Sequence, residues 1–228
     1  MLASRKIKRR KINMEDKNTS ITFSAARIVA SIFGVLAGLG GFTHGIGEVL
    51  QGNVAPDGIW IYSWTQGPIA TNMGGEPGIT IVPNLLVTGI LTITVSLIVI
   101  IWAIAFIQRK NGGRILLLLS VVMLLVGGGI GPPIIGILAG MAGTGINVPS
   151  IWWRKRLSVN LQRFLATLWP WIFGITVING VFLVIGSVIL VYFFDLNNPD
   201  LFTNSFFFAV VSLLLTIFTG IAYDIQRD

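Results

Sequence analysis

The chain contains no cysteine, which excludes disulfides, thiolate nucleophiles and metal sites built on sulfur. Histidine occurs once, at His44, so a serine has one imidazole to activate it and the paired histidines of a metalloprotease cannot be assembled. Charge is scarce: Asp, Glu, Lys and Arg make up 11% of the 228 residues, against about 25% in soluble domains. Acidic residues are the rarer sign, 9 against 16 basic ones, for a net charge of +7. The basic residues come in short clusters between apolar runs, so nucleic acid is not an expected partner; the clusters read as topology signals and contacts to anionic lipid. The segment Gly127, Gly128, Gly129, Ile130, Gly131 lacks the lysine and hydroxyl residue that complete a phosphate loop. His44 and Glu48 offer two ligands where zinc takes three or more from the protein. No metal, no cofactor and no enzyme activity is expected from this set.

What is abundant is apolar sequence. Hydrophobic residues are 54% of the chain and the mean hydropathy is +0.82. This predicts an all-α, polytopic bundle of helices in the cell membrane, a single transmembrane domain over 25–228 behind a basic cytoplasmic arm over 1–24. The arm carries Arg5, Lys6, Lys8, Arg9, Arg10, Lys11 and Lys17, like the n-region of a signal peptide, but the apolar run behind it is too long for an h-region and reads as an uncleaved first span.

That first span, 26–50, organises the rest. Gly34, Gly38, Gly41 and Gly45 recur at helical spacing, a small-residue stripe of the kind that lets membrane helices pack closely. Ala37, Gly41, His44 and Glu48 follow a neighbouring stripe, which puts the two polar side chains within hydrogen-bonding reach. At helical rise His44 lies about 24 Å from Ile28, near the far edge of a hydrocarbon core about 30 Å thick. His44 and Glu48, with Thr43 and Gln51 beside them, form a candidate polar site or a structural pair closing the helix end.

Residues 53–83 form the only long polar connection, with Asp57 and Glu76 and no basic residue, as expected outside the cell. Trp60, Tyr62 and Trp64 alternate with Ile59, Ile61 and Ser63, which predicts a short strand at headgroup depth, paired antiparallel with 78–82; a lid over the bundle is the functional alternative. The uncharged run 84–107 is a second span, in which Thr88, Thr92, Thr94 and Ser96 read as packing groups.

The uncharged run 115–146 is interrupted by Gly127, Gly128, Gly129, Gly131, Pro132 and Pro133. A continuous helix of this length would be about 48 Å long, too long for the bilayer core, and the prolines break it. It is either one kinked span or two short passes, 115–129 and 132–146. Six passes place all 16 lysines and arginines on one side of the membrane, whereas five put Arg154, Lys155, Arg156 and Arg163 outside, against the positive-inside rule. Six passes, with both termini inside, are therefore expected. Helices broken by glycine and proline either point to a transporter site or form a tight hairpin whose glycines merely permit close packing; in the first reading the prolines start the fourth helix and Glu48, or an anion, sits at its positive end.

Residues 151–168 read as an amphipathic helix on the inner surface, with Arg154, Lys155, Arg156 and Arg163 on anionic lipid. Passes over 169–194 and 204–223 complete the bundle, and Asn179 is expected to bond a neighbouring helix. Two functions follow. One is a small transporter or channel with a polar outer-leaflet site at His44 and Glu48; the other is a non-catalytic accessory subunit that assembles, with itself or with membrane partners, through its glycine faces.

Overall fold

The computed structural model describes residues 24–146 and 151–227, without the side chains of Ile151, Trp152 and Lys155; the basic arm, Ser24 apart, lies outside the described residues. The chain is mostly helical. Four of its helices, Ala25–Gln51, Leu85–Phe106, Val159–Phe194 and Pro199–Arg227, are long and apolar enough to cross a membrane, and Gly112–Leu125 and Gly131–Thr144 are shorter apolar helices.

Helix α1 (Ala25–Gln51) starts at Ser24, whose Oγ accepts a hydrogen bond from the Arg27 amide. The Asp224 carboxylate accepts from the Ala25 and Ala26 amides at 2.6 and 3.2 Å, so the last helix caps the first. These bonds satisfy three of the first amide donors, which a helix cannot satisfy internally. At the other end Gly52, with φ 82°, turns the chain into a small antiparallel ribbon. Strand β1 (Trp60–Tyr62) pairs with β2 (Pro77–Ile79), with Trp60 opposite Ile79, Ile61 opposite Gly78 and Tyr62 opposite Pro77. The one-turn-and-a-half helix α2 (Pro68–Met73) lies between the strands.

Helix α3 (Leu85–Ile101) is capped by Asn84, whose Oδ1 accepts from the Val87 amide, and runs on through a π-helical turn, Trp102–Phe106. Helices α4 (Gly112–Leu125) and α5 (Gly131–Thr144) form a hairpin. Gly113 packs on Gly143, Leu117 on Gly140 and Ser120 on Gly136, a descending register that makes the arms antiparallel. Each arm has 14 residues, about 21 Å at helical rise. Short helix α6 (Ile151–Arg156) precedes α7 (Val159–Val181), which continues through a π-helical turn, Phe182–Gly186, into α8 (Ser187–Phe194). Helix α9 (Pro199–Arg227) completes the fold.

The segment read as one amphipathic helix over 151–168 divides at Leu157 and Ser158. Ser158 Oγ accepts from the Leu161 amide and starts α7, and the second half of the segment runs without a break into the apolar helix. Gln162 is its buried face, donating to the carbonyls of Leu157 (2.8 Å) and Arg154 (3.4 Å), while Leu161 and Phe164 face outward. Arg154 donates to the Ile225 carbonyl at 2.9 Å, which satisfies an acceptor near the end of α9. Arg156 and Arg163 are exposed, and the Lys155 side chain lies outside the described residues.

The glycine stripe of α1 is used inside the chain. Gly34 abuts Ala103, Gly38 abuts Ile100 and the Ser96 carbonyl, and Gly45 crosses Gly89, all on α3 and its π-turn; Gly41 abuts Ser96 and Met123 of α4. The stripe expected to serve assembly is thereby covered by the chain's own helices. The interior is small or weakly polar where helices touch, with Thr88, Thr92, Ser96, Ser120, Thr176 and Thr216 buried, and the exterior carries large exposed apolar side chains such as Ile104, Ile178 and Phe218. That distribution suits helices surrounded by lipid. Thr176 and Thr216 hydrogen-bond across α7 and α9 at 3.0 Å, and Asn179 Nδ2 donates to the Ser205 carbonyl at 2.9 Å.

One end of the bundle gathers the ribbon, the α4–α5 turn and the 195–198 link: the Ile130 amide donates to the Pro77 carbonyl, and Asn72 to Asp195. The opposite end gathers the start of α1, the 107–111 turn, α6 and the end of α9. Every lysine and arginine among the described residues lies at this second end, while Asp57, Glu76, Asp195 and Asp200 lie at the first.

Candidate functional site

His44, Glu48 and Gln51 recur along one face of α1 and all three engage the ribbon. Gln51 Nε2 donates to the carbonyls of Tyr62 and Ser63, each at 2.9 Å, which holds the end of β1 against the helix. Gly47 makes the approach possible, because a β-carbon there would strike the Ser63 carbonyl. Thr43, beside His44, donates to the Gly40 carbonyl at 2.7 Å.

The ribbon's register then selects the partners of His44. Pairing continues one residue beyond β1, with the Ser63 amide donating to the Glu76 carbonyl at 2.9 Å, so Ser63 and Glu76 stand opposite one another. Side chains alternate along a strand. Trp60 and Tyr62 face outward, whereas Ile61 and Ser63 are buried. Directly opposed residues share a face, and this pair clasps the imidazole: Ser63 Oγ lies 2.9 Å from Nδ1, and Glu76 Oε2 lies 3.2 Å from Nε2.

His44 and Glu48, expected to meet directly, are joined through Ser63, whose hydroxyl donates to Glu48 Oε1 at 3.2 Å. Glu48 is 0% exposed. Its second oxygen accepts from Thr92 Oγ1 at 3.3 Å, and the same hydroxyl faces the Val126 carbonyl. Thr92, read as a packing group, thus belongs to the site. Glu48 does not sit on the first turn of α5, where it was expected. Pro132 and Pro133 have no N–H to offer there, and the carboxylate is held by hydroxyls instead.

The helix break supplies the floor. The α4–α5 turn runs beside β2, with Thr80 bridged to Val126 and the Ile81 amide donating to the Leu125 carbonyl. Gly127 and Gly129 have φ of 102° and 76°, values that glycine adopts without strain. A β-carbon on Gly127 would lie 2.6 Å from Glu48 Oε1, and one on Gly129 would fall on the His44 ring. Gly128 packs on Met123 and Gly131 on Phe206. The glycine break and the His–Glu pair, 83 residues apart at Gly127 and His44, are therefore one site.

Glu76 Oε2 stands 3.2 Å from His44 Nε2, but it is buried and accepts no aligned hydrogen bond among the described residues.

His44, Thr43 and Glu76 form the polar end of a cavity of about 360 Å³. Its walls are otherwise apolar, from Phe33, Leu36 and Pro132 to Leu183, Phe202 and Phe206, and it lies between α1, the start of α5 and the α7–α9 pair. Thr203 and Phe207, both exposed, border it. Ser63, His44 and Glu76 have the order of a catalytic triad, but Ser63 is fully buried, donates to Glu48 and does not line the cavity. Among protein-family models, curated proteins and solved structures, none matches this chain.

Proposed function

We propose that this is a non-enzymatic, six-pass membrane transporter that takes small molecules with an apolar body from the outer leaflet into the cavity between α1, α5 and the α7–α9 pair. One observation carries the reading: an apolar cavity of about 360 Å³ ends on His44 and Glu76, and behind them His44 is linked through Ser63 to Glu48. Ligand pockets have this composition, largely apolar with a few convergent polar groups, and volumes of about 300–1,000 Å³. An intramembrane ionisable group facing a cavity is a functional-site candidate by default.

The charge distribution supports six passes. The antiparallel α4–α5 arms return the chain to the end that carries every described lysine and arginine, which is the cytoplasmic end by the positive-inside rule. The cavity then lies at the depth of the outer leaflet, bordered by Thr203 and Phe207 on the outer third of α9. Arg154, Arg156 and Arg163 would meet anionic lipid at the inner surface.

A channel is less well supported, because Val29, Phe33, Val99 and Leu116 close the interior between the cavity and the basic end. The accessory-subunit reading loses the glycine faces on which it rested, since α3 and α4 cover them.

Proteoliposomes test the proposal. Short-chain fluorescent amphiphiles with cationic, neutral and anionic heads are followed between leaflets by dithionite quenching. The wild type is expected to accelerate at least one of them, and His44→Ala and Glu48→Gln, inserted to the same extent, to abolish the acceleration. Rates equal to those of protein-free liposomes for every head group would remove the transporter reading in favour of the accessory one.

A further inference from the structure

Resting on the cavity as a ligand site, we propose that helix α2 is a lid that opens the cavity to the external solution, with Asn72 and Asp195 as its latch. The outer end of the cavity has two sides, Met73, Gly75 and Glu76 next to the ribbon and Pro199, Phe202 and Thr203 on α9. Helix α2 bridges them. Its helical period separates two faces: Ile69 and Asn72 are buried, and Ile69 forms one cluster with Val191 of α8 and Phe202 of α9, against which Met73 also packs. Gln66, just before the helix, and Thr71 are exposed, so the side turned away from the cavity is polar.

The ribbon on either side of α2 is clamped, and α2 is not. Hydrogen bonds tie Tyr62 and Ser63 to Gln51, Pro77 to Ile130 and Ile81 to Leu125. From residues 64–75, by contrast, one hydrogen bond among the described residues reaches another element: Asn72 Nδ2 donates to Asp195 Oδ1 at 2.7 Å. The Thr71 hydroxyl donates only to Gly67 and Pro68 at the start of the same helix. Both ends of α2 are glycines with positive φ, Gly67 at 80° and Gly74 and Gly75 at 74° and 75°. Nothing lies within 4 Å of a β-carbon at Gly67 or Gly74, so no neighbour holds these turns, and hinges are built from a few such positions at element ends. Asp195, which ends α8, has a φ of 49°, a region that residues with side chains enter rarely. The latch therefore joins a loosely held helix to a tightly constrained link. Swinging α2 about its glycines uncovers Phe202 and gives the cavity a mouth to water, besides the exposed border at Thr203 and Phe207.

The experiment uses the full chain in nanodiscs. Thr43→Cys, on the cysteine-free background, places a reporter on the cavity wall. Mass spectrometry follows its labelling by a permanently charged methanethiosulfonate, which stays in water, and by N-ethylmaleimide, which also enters lipid. Access from the basic end is closed by Val29, Phe33, Val99 and Leu116. The charged reagent is expected to label Thr43→Cys slowly. Adding Asn72→Ala, or Asp195→Gly, which removes the acceptor and tolerates positive φ, should accelerate it at least about ten-fold, the effect of one hydrogen bond to a carboxylate. Asp195→Asn keeps an acceptor oxygen and should label at close to the slow rate. Asp224→Ala, which weakens the cap at the opposite end of the bundle, should not change the rate.

If Asn72→Ala and Asp195→Gly leave labelling slow while N-ethylmaleimide reacts, the lid is overturned and the cavity stands, reached from lipid alone. Fast charged labelling of Thr43→Cys without any second change would show that α2 does not close the cavity. Acceleration by Asp224→Ala equal to that by Asn72→Ala would assign the effect to general loosening and overturn the latch. Reaction with neither reagent in any of the variants removes the cavity reading itself, and the lid with it.

Discussion

Gly129 lies against the imidazole of His44 so closely that there is no room for a β-carbon at that position. Its φ of 76° would also cost a residue with a side chain about 1–2 kcal/mol. Gly129→Ala should therefore lower stability by more than the backbone strain alone, because the ring must leave Ser63 and Glu76. Gly174→Ala serves as the control, since nothing lies within 4 Å of a β-carbon there. Unfolding in mixed detergent should separate the two variants by at least 2 kcal/mol, roughly the sum of strain and one broken buried hydrogen bond. Equal midpoints would show that the turn does not hold the ring.

Ser63 is the hydroxyl that joins His44 to Glu48. Ser63→Ala leaves two buried polar groups facing a methyl, at a cost of about 1–3 kcal/mol. The loss should be non-additive with Glu48→Gln, because both changes break the same bond. A double-mutant cycle with no coupling would mean that the bridge contributes nothing to stability.

Asp224 caps the first two amides of α1. Asp224→Ala is expected to destabilise the chain by about 1 kcal/mol, the usual worth of a helix cap, and Asp224→Asn by less. Hydrogen exchange at Ala25 and Ala26 should accelerate in the alanine variant, with little change at the His44 end.

Gly45 and Gly89 mark the crossing of α1 and α3, where a β-carbon on Gly45 would sit 2.9 Å from the Gly89 carbonyl. Gly45→Leu should prevent the isolated chain from reaching its native fold, seen as aggregation on size exclusion. A variant that folds normally but fails to recruit another protein would instead return the glycine stripe to an assembly role.

The absence of cysteine permits single-cysteine mapping on an otherwise native background. Cysteines at Asn111 and Ser158 should label from the same side, and those at Asp57 and Asn197 from the other. Labelling of Ser158 together with Asn197 would rule out six passes.

Much of the architecture was legible in the sequence for a simple reason: apolar runs of span length, alternation in a strand and glycine–proline interruptions are local signals. They located the long helices, the ribbon from Trp60 to Tyr62 and the break after Val126. The alternation even placed Ser63 on the same face as Ile61, the one hint that a polar side chain entered the core. The boundary at Ser158 was missed because an apolar stripe facing lipid has the same period as one facing protein, and only packing reveals which face Gln162 occupies.

The sequence by itself determined that the chain must bury its backbone in helices, where they break, and that one span carries a titratable pair, because each follows from the solvation of neighbouring residues. Which groups complete that pair was decided by tertiary structure alone. Ser63 and Glu76 reach His44 through strand register, Thr92 reaches Glu48 across a helix crossing opened by Gly45 and Gly89, and the glycines of the break close over both. Hydrogen bonds of about 3 Å depend on angles and registers set by contacts between residues far apart in sequence, and no local pattern encodes them.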